Sequence, residues 1–289
     1  MRVPASTSNL GSGFDTLGLA VNLYNRIRVT LVAGDGISII SPIAPEDRAA
    51  AESTLAQAVA TFTKESRSGA PGLEVAFEGD IPVARGLGYS ATVRLGVLAA
   101  LNELTSAGWD RQKLVEMVTS LEGHPDNASP ATLGGFTVSG TVGPRTRVLR
   151  FEVSPVLKII TLIPHFKVST EKARRLLPDA LSRTDAAHAL NRAALITAAF
   201  AQKDYAALRG LFDDCFHQPY RAPLVPQLAA VVRAGEAAGA LGGFLSGSGS
   251  GIICLALEKP EAVAQAMQRE VPDSEVRILE PDNEGHRVE

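Results

Sequence analysis

Apolar positions along the chain switch between two periods, and the switches mark the elements. Leu114, Met117, Val118 and Leu121 recur at the spacing of one helix face. Val93, Val97, Leu101 and Leu104 do the same, as do Leu55, Val59 and Phe62 within 46–66. Helical spacing also covers about 170–177, 185–202, 204–213, 223–239 and 260–270. Elsewhere the period falls to two. In Leu23–Val32, apolar Ile27, Val29 and Leu31 alternate with polar partners, as in a half-buried strand. Leu73–Phe77, Ile252–Leu257 and 275–279 read as further strands, and the β-branched run Val156–Ile163 as a buried one. Gly140–Pro144 turns between two short strands. Gly123 follows the helix ending at Glu122 and is placed to cap it. The opening 1–22 reads as a loop, rich in Ser, Asn and Gly over Ser6–Asp15. The polar tail 282–289 is expected to fray. This mixed order predicts an α+β fold, with a boundary at Glu152–Pro155 dividing domains 1–153 and 154–289.

Composition narrows the class. A chain of 289 residues fits one large domain or two ordinary ones. With aromatic residues at only 5%, the cores must rest on Ala, Leu, Val and Ile. The net charge of −3 gives no general pull toward nucleic acid or a membrane surface. Cys215 and Cys254 lack metal-type spacing and argue against a disulfide framework. The start carries no apolar signal region and no run is long enough to span a bilayer, so a cytoplasmic protein is expected.

Four clusters carry candidate chemistry. In Pro82-Val-Ala-Arg-Gly-Leu-Gly-Tyr-Ser-Ala-Thr92 a Gly-rich loop runs straight into a helix, aiming backbone N–H groups and the positive dipole end at one spot. It fits neither the Walker pattern nor the dinucleotide fingerprint. Ser90 is either an ordinary helix cap or a hydroxyl for a phosphate or metal. Second is Glu122-Gly-His-Pro-Asp-Asn127. Glu122 sits at a helix C-terminus, where negative charge is disfavoured. It is either solvated or offset by a cation such as Mg²⁺. Third, Thr170 and Arg174 share a helix face, and Arg221 stands alone in a turn-rich segment. Two converging guanidinium groups would fork a carboxylate, although each alone reads as a surface arginine. Fourth, Asn9 and Asp15 flank loop glycines, either as turn residues or as a grip for an ammonium group. His165, His188 and His217 are isolated and read as structural, and the Gly-Ser248-Gly frame is only a weak likeness to a nucleophile elbow.

Together these clusters resemble the homoserine kinases of the GHMP small-molecule kinase superfamily, in motif order and over about residues 2–258. The shared motifs are Arg-Val-Pro-Ala-Ser-x-Ser-Asn-Leu-Gly-x-Gly-Phe-Asp, Pro-x-Ala-Arg-Gly-Leu-Gly-x-Ser-Ala, Glu-Gly-His-x-Asp-Asn, Pro-Tyr-Arg and Phe-Leu-Ser-Gly-Ser-Gly. The resemblance implies a two-domain fold: an N-terminal domain like ribosomal protein S5 domain 2, and a ferredoxin-like C-terminal one. It implies ATP-dependent phosphorylation of the L-homoserine hydroxyl in threonine biosynthesis, with ATP, Mg²⁺ and a possible homodimer. Pro82, Arg85, Gly86, Leu87, Gly88, Tyr89, Ser90, Ala91 and Thr92 would hold the nucleotide, and Ser90 and Glu122 the metal. Asn9 and Asp15 would take the substrate ammonium and Arg174 and Arg221 its carboxylate. Asn127 would orient the hydroxyl, with His124 and Thr170 lining the site. The hydroxyl proton goes either to Asp126 or, as the resemblance favours, late to a phosphate oxygen.

The chain departs from the family pattern at Tyr89, where Ser is usual, at Ser12, at Ser250-Gly251 and at the charged Arg94. These departures admit a rival, a weakly active or inactive ligand-binding regulator, and within the kinases another small alcohol substrate.

Overall fold

The computed structural model of the chain describes residues 1–34, 36–67, 69 and 72–289. The first sheet holds β1 (Arg2–Ser8), β2 (Leu17–Val32), β3 (Ile37–Ile39), β4 (Gly72–Gly79), β5 (Phe136–Val142) and β6 (Arg145–Phe151). Its order is β3-β4-β2-β5-β6, with β1 antiparallel to β2. The second sheet, of β7 (Lys158–Ile163), β8 (Gly242–Leu245), β9 (Ile252–Ala256) and β10 (Glu275–Leu279), runs β10-β7-β9-β8 with every pairing antiparallel. Helices α1 (Pro45–Ser66), α2 (Tyr89–Thr105), α3 (Arg111–Glu122) and α4 (Ala128–Leu133) accompany the first sheet. Helices α5 (Thr170–Arg175), α6 (Arg183–Gln202), α7 (Gln218–Arg221), α8 (Leu228–Ala237) and α9 (Pro260–Glu270) follow β7 in the chain. No helix among the described residues is long and apolar enough to cross a membrane.

The two sheets share one core. Leu17, Leu19, Val21 and Leu23 of β2 pack in the same cluster as Ile159, Phe244 and Ile253 of the second sheet. Phe136 and Phe200 stack inside it with ring centroids 4.0 Å apart. A second cluster lies between the first sheet and α1–α3.

Four expectations about the helices and strands need correction, and a fifth about the tail. Strand β1 occupies much of the expected opening loop, because the hydroxyls of Ser6, Thr7 and Ser8 are buried and hydrogen-bonded rather than solvated. Strand β2 begins at Leu17, six residues early, because Leu17–Val21 is buried on both faces and shows no alternation. Within 204–213 only a 3-10 turn forms, at Tyr205–Leu208, and Gly210 at φ 73° breaks it off. Pro223 and Pro226 remove amide donors, so α8 starts only at Leu228.

The tail 282–289 is pinned rather than frayed. Arg2 and Arg287 exchange backbone hydrogen bonds of 2.8 and 3.0 Å. The buried Asp282 carboxylate accepts from the Glu284 and Gly285 amides and from the Tyr24 hydroxyl. Arg111 donates to the carbonyls of Thr132, Glu284 and His286. The polar tail residues are therefore hydrogen-bonded inward, where composition alone suggests solvent.

Candidate active site

The Gly-rich loop turns at two left-handed glycines, Gly86 (φ 75°) and Gly88 (φ 71°). Gly86 is forced by contact as well, since a Cβ there would lie 1.9 Å from the Ser246 carbonyl oxygen. The second Gly-rich turn, Ser246–Gly251, thus abuts the first. The Gly251 amide donates to the Arg85 carbonyl at 3.0 Å, and the Ser246 hydroxyl to the Gly86 carbonyl at 2.6 Å.

Helix α2 starts at Tyr89 with Gly88 as its cap residue, and no side chain caps it among the described residues. In α3, α5 and α6 an Asp or Ser accepts a first-turn amide instead. The first-turn amides of α2 are left for an anion. Ser90 is therefore not the cap; its hydroxyl donates to Glu122 Oε2 at 3.0 Å.

Glu122 closes α3, and Gly123 supplies the left-handed cap at φ 83°. Its other oxygen pairs with Arg94 Nη1 at 2.5 Å. The cation that the helix dipole calls for is thus this guanidinium. A hydroxyl and a carboxylate form a hard oxygen donor set that fits Mg²⁺ or a similar divalent ion alongside phosphate oxygens. Ser90 and Glu122 would hold it, and it would offset charge on phosphate oxygens bound beside it.

A cavity of about 460 Å³ runs from this junction to a charged far end. Gly86, Gly88, Tyr89, Ser90 and Glu122 line one part, and Asn9, Asp15, His124, Thr170, Arg174 and Arg221 also line it. Of the loop residues, Leu87, Ala91 and Thr92 are buried behind the loop. Pro82 does not line the cavity either, while Arg85 lines it but spends its guanidinium on the carbonyls of Val83, Pro164 and His165. Tyr89 packs against both apolar clusters, and burial raises its phenol pKa above the usual 10.

At the far end Arg174 forks Asp15, with N–O distances of 3.0 and 2.7 Å. Arg221 is only 2% exposed, and burial, reinforced by Arg174, lowers its pKa to about 10, still charged at neutral pH. It donates to the Gly247 carbonyl and to His217 Nδ1. His217 in turn donates from Nε2 to the Gly11 carbonyl at 2.9 Å. Burial lowers its pKa, which keeps the ring neutral beside the guanidinium. Both guanidinium groups approach the Phe14 ring, each guanidinium carbon 5.3 Å from its centroid. Phe14 is absent from the candidate residues, although its place between Gly13 and Asp15 is visible in the motif.

Asn9 and Asn127 brace the site through hydrogen bonds of their own. Asn9 donates to the Gly247 carbonyl and accepts from the Asp15 amide. Asn127 accepts from the Ser6 hydroxyl and donates to that of Ser8. Asp126, 1% exposed, holds His124 Nδ1 at 2.5 Å. Burial lowers the His124 pKa, but the hydrogen bond and charge of Asp126 outweigh it, and the net shift is upward. Acceptor atoms of Asp15, His124 and Asp126 lie within 4.8 Å of one another. Thr170 and Ser248 share a hydroxyl hydrogen bond of 3.0 Å, and among the described residues no His or carboxylate is hydrogen-bonded to Ser248, so the nucleophile-elbow likeness gains no support.

A Gly-rich helix start without a side-chain cap and a charged socket line one cavity, an arrangement suited to an anion beside a charged small molecule. The family descriptions GHMP kinases N terminal domain and GHMP kinases C terminal match residues 53–135 and 196–273. A homoserine kinase from Moorella thermoacetica is 38% identical over 296 residues, covering 99% of this chain and 98% of its own length. One from Deinococcus radiodurans is 40% identical over 254 residues, covering 88% and 83%. The crystal structure of homoserine kinase from Cytophaga hutchinsonii superposes with a TM-score of 0.87 at 26% identity, covering 98% of this chain and 95% of that one. The chain belongs to the homoserine kinase family.

Proposed function

We propose that the protein transfers the γ-phosphoryl group of ATP to the side-chain hydroxyl of L-homoserine, giving ADP and O-phospho-L-homoserine for threonine synthesis. The observation that carries this reading is the Asp15–Arg174 fork at the far end of the cavity. The two charges satisfy each other. A zwitterion exchanges that contact for two, its ammonium on Asp15 and its carboxylate on Arg174, with Arg221 adding positive charge. A neutral sugar or an amine-free hydroxy acid fills only part of this socket.

The triphosphate lies on the first-turn amides of α2, with the base against apolar side chains such as Phe77 and Val83. The homoserine hydroxyl, oriented by Asn127, attacks the γ-phosphorus as the bond to the β,γ-bridging oxygen breaks. Its proton leaves late, to a phosphate oxygen. This route asks the site for positioning and charge stabilisation rather than a strong base. Asp126 is already committed to His124, which supports it.

An ADP-release assay tests the function. Turnover with L-homoserine should exceed that with mevalonate or a hexose. Nucleotide and homoserine binding without turnover would favour a regulator, and faster turnover of another alcohol would overturn the substrate assignment.

A further inference from the structure

Arg94 lies four residues after Ser90, so both side chains leave the same face of α2. They divide one carboxylate: Ser90 takes Glu122 Oε2 and Arg94 takes Oε1. The Arg94 and Glu122 side chains are only 13% and 9% exposed, so salt screens the pair poorly. A guanidinium cannot be deprotonated to make way for a metal. Yet this one is incompletely held. Its Nη2 donates to Gln57 on α1 at 2.9 Å, while its buried Nε has no partner among the described residues.

We infer that Arg94 is a resident counter-cation that competes with the divalent ion for Glu122, so that free metal binds weakly and the ion enters with the nucleotide. This rests on the reading of Ser90 and Glu122 as the metal-side groups. A carboxylate whose charge is already compensated is a poorer ligand, and an incoming dication meets a positive group a few ångströms away. Triphosphate oxygens outweigh that repulsion, which is why metal and nucleotide arrive together. A neutral residue at position 94 would leave Glu122 open to free metal.

The test uses Mn²⁺ as a spin probe, counted by electron paramagnetic resonance on the full chain with and without a non-hydrolysable ATP analogue. Wild type should bind Mn²⁺ tightly only with the analogue. Arg94→Gln should bind Mn²⁺ without nucleotide about tenfold tighter than wild type or better. Arg94→Lys, which keeps the charge, should stay weak, and Arg94→Gln with Glu122→Gln should lose the gain. Arg94→Met repeats the test if the Gln variant folds poorly by thermal melt. Unchanged or weaker nucleotide-free binding in the neutral variants overturns the inference. If Glu122→Gln still weakens Mn²⁺ binding in the analogue complex, the metal-site reading survives that failure. If Glu122→Gln changes nothing there, both fall.

Discussion

At the residue scale, the site is a set of polar groups whose partners differ from those their sequence neighbours suggest. Asp126 stands in a motif where it could serve as a base, but it is buried and bonded to His124. A general base contributes about 100- to 10,000-fold to rate. Asp126→Asn should therefore keep kcat within about tenfold of wild type, below that range. A loss near a thousandfold with the fold intact would make Asp126 the base. Tyr89 fills the place of a small Ser, and its ring is held between two apolar clusters while burial keeps the phenol neutral. Tyr89→Phe should leave both kcat and the KM for ATP within about twofold, since ring packing rather than the hydroxyl holds the side chain. Collapse of kcat in that variant would assign the hydroxyl a role in the reaction.

At the element scale, the decisive feature is the contact of two Gly-rich turns far apart in the chain. Gly86 and Ser246 meet so closely that no side chain fits between them. Gly86→Ala adds both a backbone clash and a left-handed Ala, and should cost on the order of 2–4 kcal/mol. Thermal denaturation reads the loss, and kcat/KM for ATP should fall as the α2 start shifts. An unchanged melting temperature would mean that the two turns do not abut in solution. Helix periods and the loop-to-helix junction were legible in the sequence, because apolar spacing and glycine placement are local. Strand β1 and the early start of β2 were not. Their buried polar or two-sided faces are satisfied by groups more than a hundred residues away, as in the hydrogen bond between Ser6 and Asn127.

At the scale of the whole molecule, the tail fastens the far end of the chain to its beginning and to the back of α4. His286 is buried there and donates from Nδ1 to the Thr132 carbonyl at 3.1 Å. Burial, helped by Arg111, pushes its pKa from 6.5 down to about 4. With the folded value depressed, the unfolded chain binds the proton first as pH falls. Stability is then fully present above about 6.5 and drains away toward about 4. The gap corresponds to up to about 3 kcal/mol. His286→Asn, which keeps a donor to Thr132, should flatten the fall of melting temperature across that window. An identical slope in both proteins would mean that His286 is solvated in solution.

The sequence by itself determined the family, the α+β character, the phosphate-loop junction and the residues of the charged socket. Each of these rests on local spacing or on a short motif. Only the tertiary structure decided who partners whom. It set Arg94 on Glu122, turned Arg85 away to backbone carbonyls, brought two arginines to the Phe14 ring and pinned the tail. The reason is physical: a charge or hydroxyl is promiscuous in sequence, and burial fixes its partner, because an unpaired polar group away from water is too costly to keep. The junction of the Gly-rich loop with α2 was readable from its glycines alone. That Glu122, the carboxylate proposed to hold the metal, already carries a guanidinium followed only from the packing of α2 against α3.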